Sequence, residues 1–329
     1  MLAPIRREAV ANLPPVSEFD CPIVDAHDEK TLTRAVETLG NDGIVALPTE
    51  TVYGLAGSIT SEPAIRRIYE VKGRPTSHPL ILHVADLDDV RQFADRLSED
   101  ALRCAESCWP GPFTMLVHRN DRVPDFVVGG SDHVAIRIPA NFFTREVIRR
   151  LGSPVAAPSA NLFGRVSPTT ANHVCHDLGT KVDLIVDDGP CSIGVESTII
   201  DFSHDHARLV RPGGLPVEDI SSVVGYEIES TVGEVSAPGT LPVHYQPRAR
   251  VLLAEDHDEA ERLVAEYERE GRHVARLVHV ESPPLLAATL YSQLRHADDK
   301  GADLIIAELP STAGLGLAIR DRLMRAAAQ

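Results

Sequence analysis

The sequence lacks the motifs that mark the commonest nucleotide-binding, hydrolytic and metal-dependent enzymes. It has no GxxxxGK[ST] phosphate loop, no GxGxxG dinucleotide fingerprint and no HExxH zinc motif. It also has no Ser-His-Asp set accompanied by an oxyanion motif. No apolar run reaches the roughly 20 residues that a membrane helix requires. These absences argue against a P-loop NTPase, a Rossmann dehydrogenase, a zinc protease and a membrane-spanning protein.

Cysteine is sparse, and its five positions show no CxxC spacing. The odd number and the spacing argue against a disulfide scaffold and against a zinc site. Arg6, Arg7 and Glu8 are not followed by an apolar core, so we expect no signal peptide. The sequence therefore predicts a reducing cytoplasm and incidental or buried thiols at Cys21, Cys104, Cys108, Cys175 and Cys191.

Basic residues are outnumbered by acidic ones, 32 to 48, which gives a formal net charge of −16. Neutralisation of phosphates supplies most of the nonspecific affinity for nucleic acids. The charge therefore argues against tight nonspecific RNA or DNA binding, although a local basic groove remains open as an alternative.

The chain divides into four predicted parts. Residues 1–28 contain four prolines and little periodicity, which indicates an extended arm. Residues 29–222 alternate short apolar runs with amphipathic stretches, a pattern typical of an α/β domain. Residues 223–249 are rich in glycine and proline and indicate a linker or a functional loop. Residues 250–329 repeat a strand and a helix three times, which predicts a small parallel sheet.

Polar and cationic residues follow several predicted strands and helices. Thr49 follows a strand, where the open end of an α/β sheet often binds ligands, or where a threonine simply bonds its own turn. Lys72 and Arg74 flank a glycine just past a helix and could hold phosphates or only satisfy the helix dipole.

Two ionisable side chains interrupt apolar strands. His83 could be an ordinary core histidine, or it could serve as an acid, a base or a partner for a carboxylate. Arg137 is costly to bury unless an anion meets it, and that anion could be a protein carboxylate or, as we favour, a substrate carboxylate.

Further hydroxyls, amides and a cation follow along the chain. Ser159 and Asn161 come after a strand in a run of small residues. Ser167 is predicted to open a helix, either as a plain N-cap or as part of an anion site. Arg211 precedes a flexible turn. From the residues alone, the pattern predicts a small-molecule or nucleotide site that holds phosphates and a carboxylate.

The ordered segments PTETVYGL, KGRP, PLILHV, WPGPFT, VAIRIPA, AAPSAN, SPT, GVESTI and LVRPG resemble the Sua5/YrdC family of threonylcarbamoyl-AMP synthases. The segment HYQP, at His244–Pro247, resembles the HYxP linker motif of the longer Sua5 type, which adds a C-terminal domain. The resemblance covers residues of about 30 to 329. It implies a large YrdC-like domain with a twisted mixed sheet and an open cleft, a linker covering the active site, and a small Rossmann-like parallel α/β domain.

The resemblance also implies an activity. The family joins L-threonine, bicarbonate and ATP, with Mg²⁺ accompanying the ATP, into threonylcarbamoyl-AMP and pyrophosphate. A downstream threonylcarbamoyl transferase complex then uses the product in t6A tRNA modification, so a weak tRNA contact is also expected. Lys72 and Arg74 would act at the reacting phosphates, and no metal is expected to be held by the protein itself. The threonine-binding residues would be Thr49, His83, Arg137, Ala157 and Ser197. The ATP-binding residues would be Lys72, Arg74, Ser159, Asn161, Ser167, Arg211 and Tyr245.

Two positions depart from the family pattern. His133 stands where relatives commonly have a threonine near ATP, and Gln246 replaces the usual alanine of the linker motif. We expect changed nucleotide affinity or an added pH dependence rather than loss of activity. The alternatives are a hydrogenase-maturation carbamoyl transferase, for which the chain lacks modules, a noncatalytic RNA-binding protein, and a nucleotide-binding regulator.

Overall fold

The computed structural model describes residues 21–233, 239–240, 243–278, 280 and 282–328. Most of the predicted arm, residues 1–20, and Leu241 and Pro242 beside the linker motif lie outside the described residues. Two β-sheets organise the chain, one of 11 strands and one of three.

The large sheet contains strands β1 to β11. Their bounds are β1 (Ile23–Asp25), β2 (Val45–Leu47), β3 (Gly54–Ser58), β4 (Ile81–His83), β5 (Phe113–His118), β6 (His133–Arg137), β7 (Val155–Ala156), β8 (Leu184–Asp187), β9 (Thr198–Asp201), β10 (Arg208–Arg211) and β11 (Glu229–Ser230). The strand order is β1-β8-β2-β3-β7-β4-β6-β5-β9-β10-β11. Parallel pairs such as β4 and β6 alternate with antiparallel pairs such as β5 and β6, which confirms a mixed sheet.

Eight helices accompany this sheet in the described residues. They are α1 (Glu29–Gly40), α2 (Glu62–Lys72), α3 (Leu87–Phe93), α4 (Glu99–Cys108), α5 (Asp125–Val128), α6 (Phe142–Leu151), α7 (Ala171–Leu178) and α8 (Val217–Val224). Several begin at a residue whose side chain accepts a bond from the first turn, as Ser61 does for α2. Helix α2 then ends at Gly73 in the left-handed conformation, which sets the chain direction into Arg74.

The small sheet follows the predicted pattern of three β-α units. Strands β12 (Arg250–Ala254), β13 (Val274–Arg276) and β14 (Leu304–Glu308) are all parallel, in the order β12-β14-β13. Helices α9 (His257–Arg269), α10 (Pro283–Asp299) and α11 (Leu315–Ala327) accompany them. The predicted small parallel α/β unit is confirmed.

Two parts of the structure differ from the sequence-based organisation. Strand β1 lies within the predicted arm and pairs with β8, because Ile23 and Val24 can extend the edge of the sheet. Strand β11 lies within the predicted linker and pairs with β10. The large sheet thus takes residues from both predicted flanking segments.

A disulfide joins Cys21 to Cys175, whereas the sequence argued against disulfide bonding. The two cysteines are 154 residues apart, so local spacing carries no sign of the pair. The bond links the chain just before β1 to helix α7. Cys104 and Cys191 are buried free thiols, as expected.

Within the described part of the chain, no helix combines the length and apolarity needed to cross a bilayer.

Candidate functional site

Arg137 and His83 end two neighbouring parallel strands and are paired in register. Residues two positions earlier, Ile81 and Ala135, belong to a buried apolar cluster on the same sheet face, since side chains alternate along a strand. Both ionisable side chains are almost fully buried, at 3% exposed for Arg137 and 4% for His83. The sheet therefore sets a cation beside an imidazole.

The anion that meets Arg137 is Glu50. Its Oε1 accepts from Arg137 Nη2 at 2.7 Å, and its Oε2 accepts from the amide of Ala140. The hydroxyl of Thr51 accepts from Arg137 Nη1 at 2.8 Å, and the carbonyl of Gly111 accepts from Nε at 3.3 Å. A protein carboxylate thus accounts for burial of the guanidinium, where we favoured a substrate carboxylate. An arginine has five N–H donors, so two of those of Arg137 have no partner in the described part of the chain and are free to meet a ligand.

His83 is held as a neutral imidazole. Burial, reinforced by the positive charge of Arg137, lowers the pKa of His83 to about 3. Its Nδ1 lies 3.1 Å from the carbonyl of Ile81, which assigns the proton to Nδ1. Nε2 is then a hydrogen-bond acceptor, and none of the described residues donates to it. His83 is therefore suited to accepting a hydrogen bond rather than to taking up a proton near neutral pH.

Hydrogen bonds connect the other residues that are predicted to bind L-threonine to the Arg137 and His83 region. Thr49 Oγ1 lies 2.9 Å from Thr51 Oγ1 and donates to the carbonyl of Val52, which is the turn interpretation of this motif. The amide of Ala157 donates to the same Ile81 carbonyl that binds His83. Ser197 lies 2.7 Å from Thr114, on the strand next to β6. The structure thus brings all five predicted residues into one connected region.

Lys72 braces the turn that carries Ser159 and Asn161. Its Nζ donates to the carbonyls of Ser159 and Asn161 at 2.6 and 2.5 Å, with Asn161 Oδ1 at 3.5 Å. Ser159 Oγ donates to Asn161 Oδ1 at 2.5 Å. Burial, with the nearby charge of Arg74, lowers the pKa of Lys72. An ammonium has three donors, so a phosphate contact requires Lys72 to release one of these acceptors.

Arg211 connects the residues that are predicted to bind ATP to those that are predicted to bind L-threonine. Its Nη2 donates to the carbonyl of Ser197 at 2.7 Å and to its hydroxyl at 3.2 Å. Gly239 is close above it, since a Cβ there would lie 2.8 Å from Arg211 Nη1 and 2.5 Å from Tyr245 Oη. A glycine is therefore required where this segment crosses Arg211 and Tyr245.

Tyr245 is buried between the two sheets and has a positive φ of 61°, which is rare for a tyrosine. Burial raises the pKa of Tyr245 to about 12. Its hydroxyl and the Nε of Arg74 are buried polar atoms without a hydrogen-bond partner among the described residues. Arg74 lies over the ring of Phe163, which contacts His244. Two buried donors therefore remain available to a ligand.

Ser167 lies outside the helix that it was predicted to open. Helix α7 begins at Ala171, with Thr170 as its N-cap. The chain reaches that helix only after Pro168, and the Ser167 hydroxyl instead donates to Glu196 Oε1 at 2.6 Å. The N-cap interpretation is wrong, and the hydroxyl proton of Ser167 is committed to a carboxylate.

The two residues that depart from the family pattern, Gln246 and His133, both pack against other parts of the structure. Gln246 Nε2 donates to the carbonyl of Ala328 at 2.8 Å, which ties the linker motif to the end of α11. His133 lies four residues before Arg137 on the same face of β6, about 13 Å away by strand geometry. It packs against His118, and burial with the charge of His118 lowers the pKa of His133.

Sequence reasoning missed several residues of this region. Glu50 and Glu196 lie inside the quoted segments but received no role. Arg322 carried a readable signal, because the 3.6-residue period places it on the apolar stripe of α11 with Ala318, Ile319 and Ala326. Thr114 and Tyr291 gave no signal beyond their membership of ordinary elements.

A cavity of about 330 Å³ opens beside the Arg137–Glu50 pair. Its lining includes Thr49, Glu50, Asn141, Asp188 and Ser192. A wider groove of about 630 Å³ along α8 includes none of the predicted site residues, so we place the candidate site at the strand ends. Among the described residues, no group of three or more His, Cys, Asp or Glu side chains is placed to hold a metal ion.

Comparisons with known proteins identify the family. The Sua5/YciO/YrdC family model, described as "Telomere recombination", matches residues 37–213, and the model "Threonylcarbamoyl-AMP synthase, C-terminal domain" matches residues 215–328. The chain is 39% identical to the threonylcarbamoyl-AMP synthase of Pyrococcus abyssi, over 86% of this chain and 90% of that protein. It is 37% identical to the synthase of Bacillus subtilis, over 92% and 96% of the two chains.

A solved structure gives the same result. The crystal structure of Pyrococcus abyssi Sua5 complexed with L-threonine has a TM-score of 0.89 and 36% identity, covering 93% of this chain and 97% of that one. The chain therefore belongs to the Sua5 family of threonylcarbamoyl-AMP synthases.

Proposed function

We propose that this protein joins L-threonine, bicarbonate and ATP into threonylcarbamoyl-AMP and pyrophosphate, the first step of t6A tRNA modification. The observation that carries the proposal is the contact of Arg211 with Ser197, because it connects the proposed carboxylate-binding region to a set of cations, hydroxyls and donors without a partner among the described residues. A solved relative binds L-threonine with the same fold.

Threonine binding is proposed at Arg137, His83, Thr49, Ala157 and Ser197. The two remaining donors of Arg137 would meet the threonine carboxylate beside Glu50. The neutral Nε2 of His83 would accept a hydrogen bond from a substrate N–H or O–H. Backbone at Ala157 and the hydroxyls of Thr49 and Ser197 would complete a small polar site.

The nucleotide is proposed to lie along Lys72, Arg74, Ser159, Asn161, Ser167, Arg211 and Tyr245. The threonine amine first adds to the carbon of bicarbonate with loss of water, which gives a carbamate. A carbamate oxygen then attacks the α-phosphorus, and pyrophosphate leaves with the bridging electron pair. Lys72, Arg74 and Arg211 would stabilise the phosphate charge, and holding both reactants together replaces a covalent nucleophile.

Mg²⁺ is proposed to enter with ATP. The charged groups among the proposed nucleotide residues are cations, and the nearby Glu196 already accepts three hydrogen bonds, so the site fits phosphates rather than a dedicated metal cage. Mg²⁺ commonly keeps several waters and binds through substrate phosphates, where it neutralises charge. The product would pass to a threonylcarbamoyl transferase complex, with at most a weak tRNA contact by this acidic chain.

The test supplies ATP, Mg²⁺, L-threonine and ¹³C-bicarbonate and analyses the products by mass spectrometry. We expect threonylcarbamoyl-AMP that carries one ¹³C. A folded protein that binds ATP but forms no labelled adenylate would contradict the proposal and favour a nucleotide-binding regulator.

A further inference from the structure

A buried ionic cluster lies between the two sheets, centred on Glu196. Its Oε1 accepts from Ser167 at 2.6 Å, and its Oε2 accepts from Tyr291 Oη at 2.8 Å and Arg322 Nε at 2.7 Å. Glu196 belongs to the loop before β9, whereas Tyr291 and Arg322 lie on α10 and α11. We call these four residues the Glu196 cluster. It joins the C-terminal helices to a proposed nucleotide residue.

Arg322 also holds a second proposed nucleotide residue. Its guanidinium carbon lies 5.1 Å from the ring centroid of Tyr245, a cation–π contact. Tyr291 also stacks on the ring of Tyr245, with the two ring centroids 5.7 Å apart and the ring planes at 21° to each other. Because the Tyr245 hydroxyl has no partner among the described residues, ring contacts rather than a hydrogen bond fix this side chain.

The Glu196 cluster carries a high desolvation cost, because its charged groups are buried. The side chain of Arg322 is 0% exposed and that of Glu196 9% exposed. Burial alone raises the pKa of Glu196, but the charges of Arg322 and Arg211 and the bond from Ser167 lower it to about 2. Buried ion pairs often add no stability over apolar residues of similar size. A purely structural contact would therefore be served equally well by apolar packing.

We propose that Arg322 is a positioning residue for the nucleotide: it fixes Tyr245 directly and fixes Ser167 through Glu196. The C-terminal helix α11 thereby sets two groups of a site that the large sheet otherwise builds. This inference rests on the proposed function, since it takes Ser167 and Tyr245 as nucleotide contacts.

The test separates nucleotide binding from folding. We compare Arg322→Met, Tyr291→Phe and Glu196→Gln with wild type by calorimetric titration of a nonhydrolysable ATP analogue and of L-threonine, and by thermal unfolding. The matched control is Arg320→Met on the same helix, whose guanidinium binds the carbonyl of Pro310 and lies 3.8 Å from the carboxylate of Glu255. The KM for ATP and kcat are measured in parallel from pyrophosphate release.

We expect Arg322→Met to weaken analogue binding by about tenfold or more, since a charged buried hydrogen bond is lost. L-Threonine binding should change by less than about twofold. Tyr291→Phe, which removes one hydroxyl and keeps the ring, should raise the KM for ATP by a few-fold with a smaller loss of thermal stability than Arg322→Met, since only a neutral donor to Glu196 is lost. Arg322→Lys should restore part of the ATP affinity, because it returns the positive charge near Tyr245.

A double substitution tests whether Arg322 acts on the nucleotide through Tyr245. If Arg322 acts partly through the Tyr245 hydroxyl, Arg322→Met should have a smaller effect on analogue binding in a Tyr245→Phe background than in wild type. Equal loss of analogue and threonine binding that follows thermal stability would overturn the inference and leave a structural role. Unchanged analogue binding in folded Arg322→Met would overturn it as well. Failure of the proposed function would appear differently, as absent threonine-dependent turnover in wild type with analogue binding still measurable.

Discussion

Arg137 is the residue on which threonine recognition depends in this account. Three of its five donors bind Glu50, Thr51 and Gly111, and two are left for a carboxylate. Arg137→Ala should weaken L-threonine binding by about 10- to 100-fold and leave ATP binding nearly unchanged, since the lost bonds are charge-assisted. Calorimetric titration of each ligand checks this, with the exposed Arg91→Ala as control. Normal threonine affinity in the folded variant would remove Arg137 from the site.

Lys72 should support the fold as well as the nucleotide. Its Nζ holds the carbonyls of Ser159 and Asn161, so Lys72→Met should loosen that turn. We expect a lower thermal midpoint together with a KM for ATP raised by about tenfold or more. The exposed Lys30→Met is the control for loss of a charge. An unchanged midpoint with impaired turnover would mean that Lys72 serves the phosphates alone.

At the residue scale, the sequence singled out residues that the fold brings together, but it did not identify the partners that hold them. Thr49 and His83 bond to near neighbours in sequence, whereas Arg137 and Ser197 are held by partners that are distant in sequence. Glu50 is 87 residues from Arg137 and Glu196 is 126 residues from Arg322, so no spacing rule could pair them. The contacts of the proposed site residues with L-threonine and ATP remain predictions.

Among the elements, the loop before β9 and helix α10 are in backbone contact at Gly194. A Cβ there would lie 2.4 Å from the carbonyl of Ala287 and 2.5 Å from Ala288 Cα, and φ is +80°. Gly194→Ala should therefore push α10 away and destabilise the protein by more than the roughly 1–2 kcal/mol of left-handed strain alone. Gly152→Ala is the matched control, because its φ is +69° and its Cβ would meet nothing within 4 Å.

Thermal unfolding and ATP-analogue binding check this prediction. We expect Gly194→Ala to lose more thermal stability than Gly152→Ala and also to bind the analogue more weakly, since the Glu196 cluster lies two residues further on. Equal effects of the two substitutions would contradict a close packing role for Gly194.

Strands β3 and β10 are hard to read from the sequence, and each has a physical reason. Strand β3, Gly54–Ser58, consists of glycine, alanine, serine and one leucine, a composition with little strand preference. Its place is set by burial on both sides, with all five residues buried. Strand β10 begins and ends with arginine, which obscures its two apolar residues.

For the molecule as a whole, acid should weaken the contact between the two sheets. Burial, with the charge of Arg295, lowers the pKa of His173 to about 3, and its Nδ1 accepts from the amide of Thr169 at 3.2 Å. Above pH 6.5 the imidazole is neutral in folded and unfolded chains alike. As pH falls from 6.5 toward 3 only the unfolded chain takes up the proton, so the free energy of unfolding decreases.

His173→Asn should reduce the loss of unfolding free energy that accompanies the fall in pH. Asparagine keeps an acceptor for the Thr169 amide and does not titrate. Denaturant unfolding at pH 7.5 and pH 5 should show a difference in the free energy of unfolding between the two pH values that is smaller by about 2 kcal/mol in the variant than in wild type. The exposed His27→Asn serves as control. The same pH dependence in His173→Asn and wild type would show that this imidazole does not govern acid sensitivity.

At this scale the sequence predicted the two-sheet architecture but not the joints between its parts. The α/β alternation and the three terminal β-α units follow from local periodicity. The Cys21–Cys175 bond, the Asp177–Arg295 ion pair and the Glu196 cluster depend on chain segments brought together only by the fold. Local patterns carry no information about such pairings.

The most direct test of the central claim is pyrophosphate release from ATP with Mg²⁺, measured with and without bicarbonate and L-threonine. Serine and alanine replace threonine in parallel reactions. We expect release that requires both bicarbonate and L-threonine. Release that is independent of threonine, or its absence in a folded protein that binds ATP, would contradict the synthase activity.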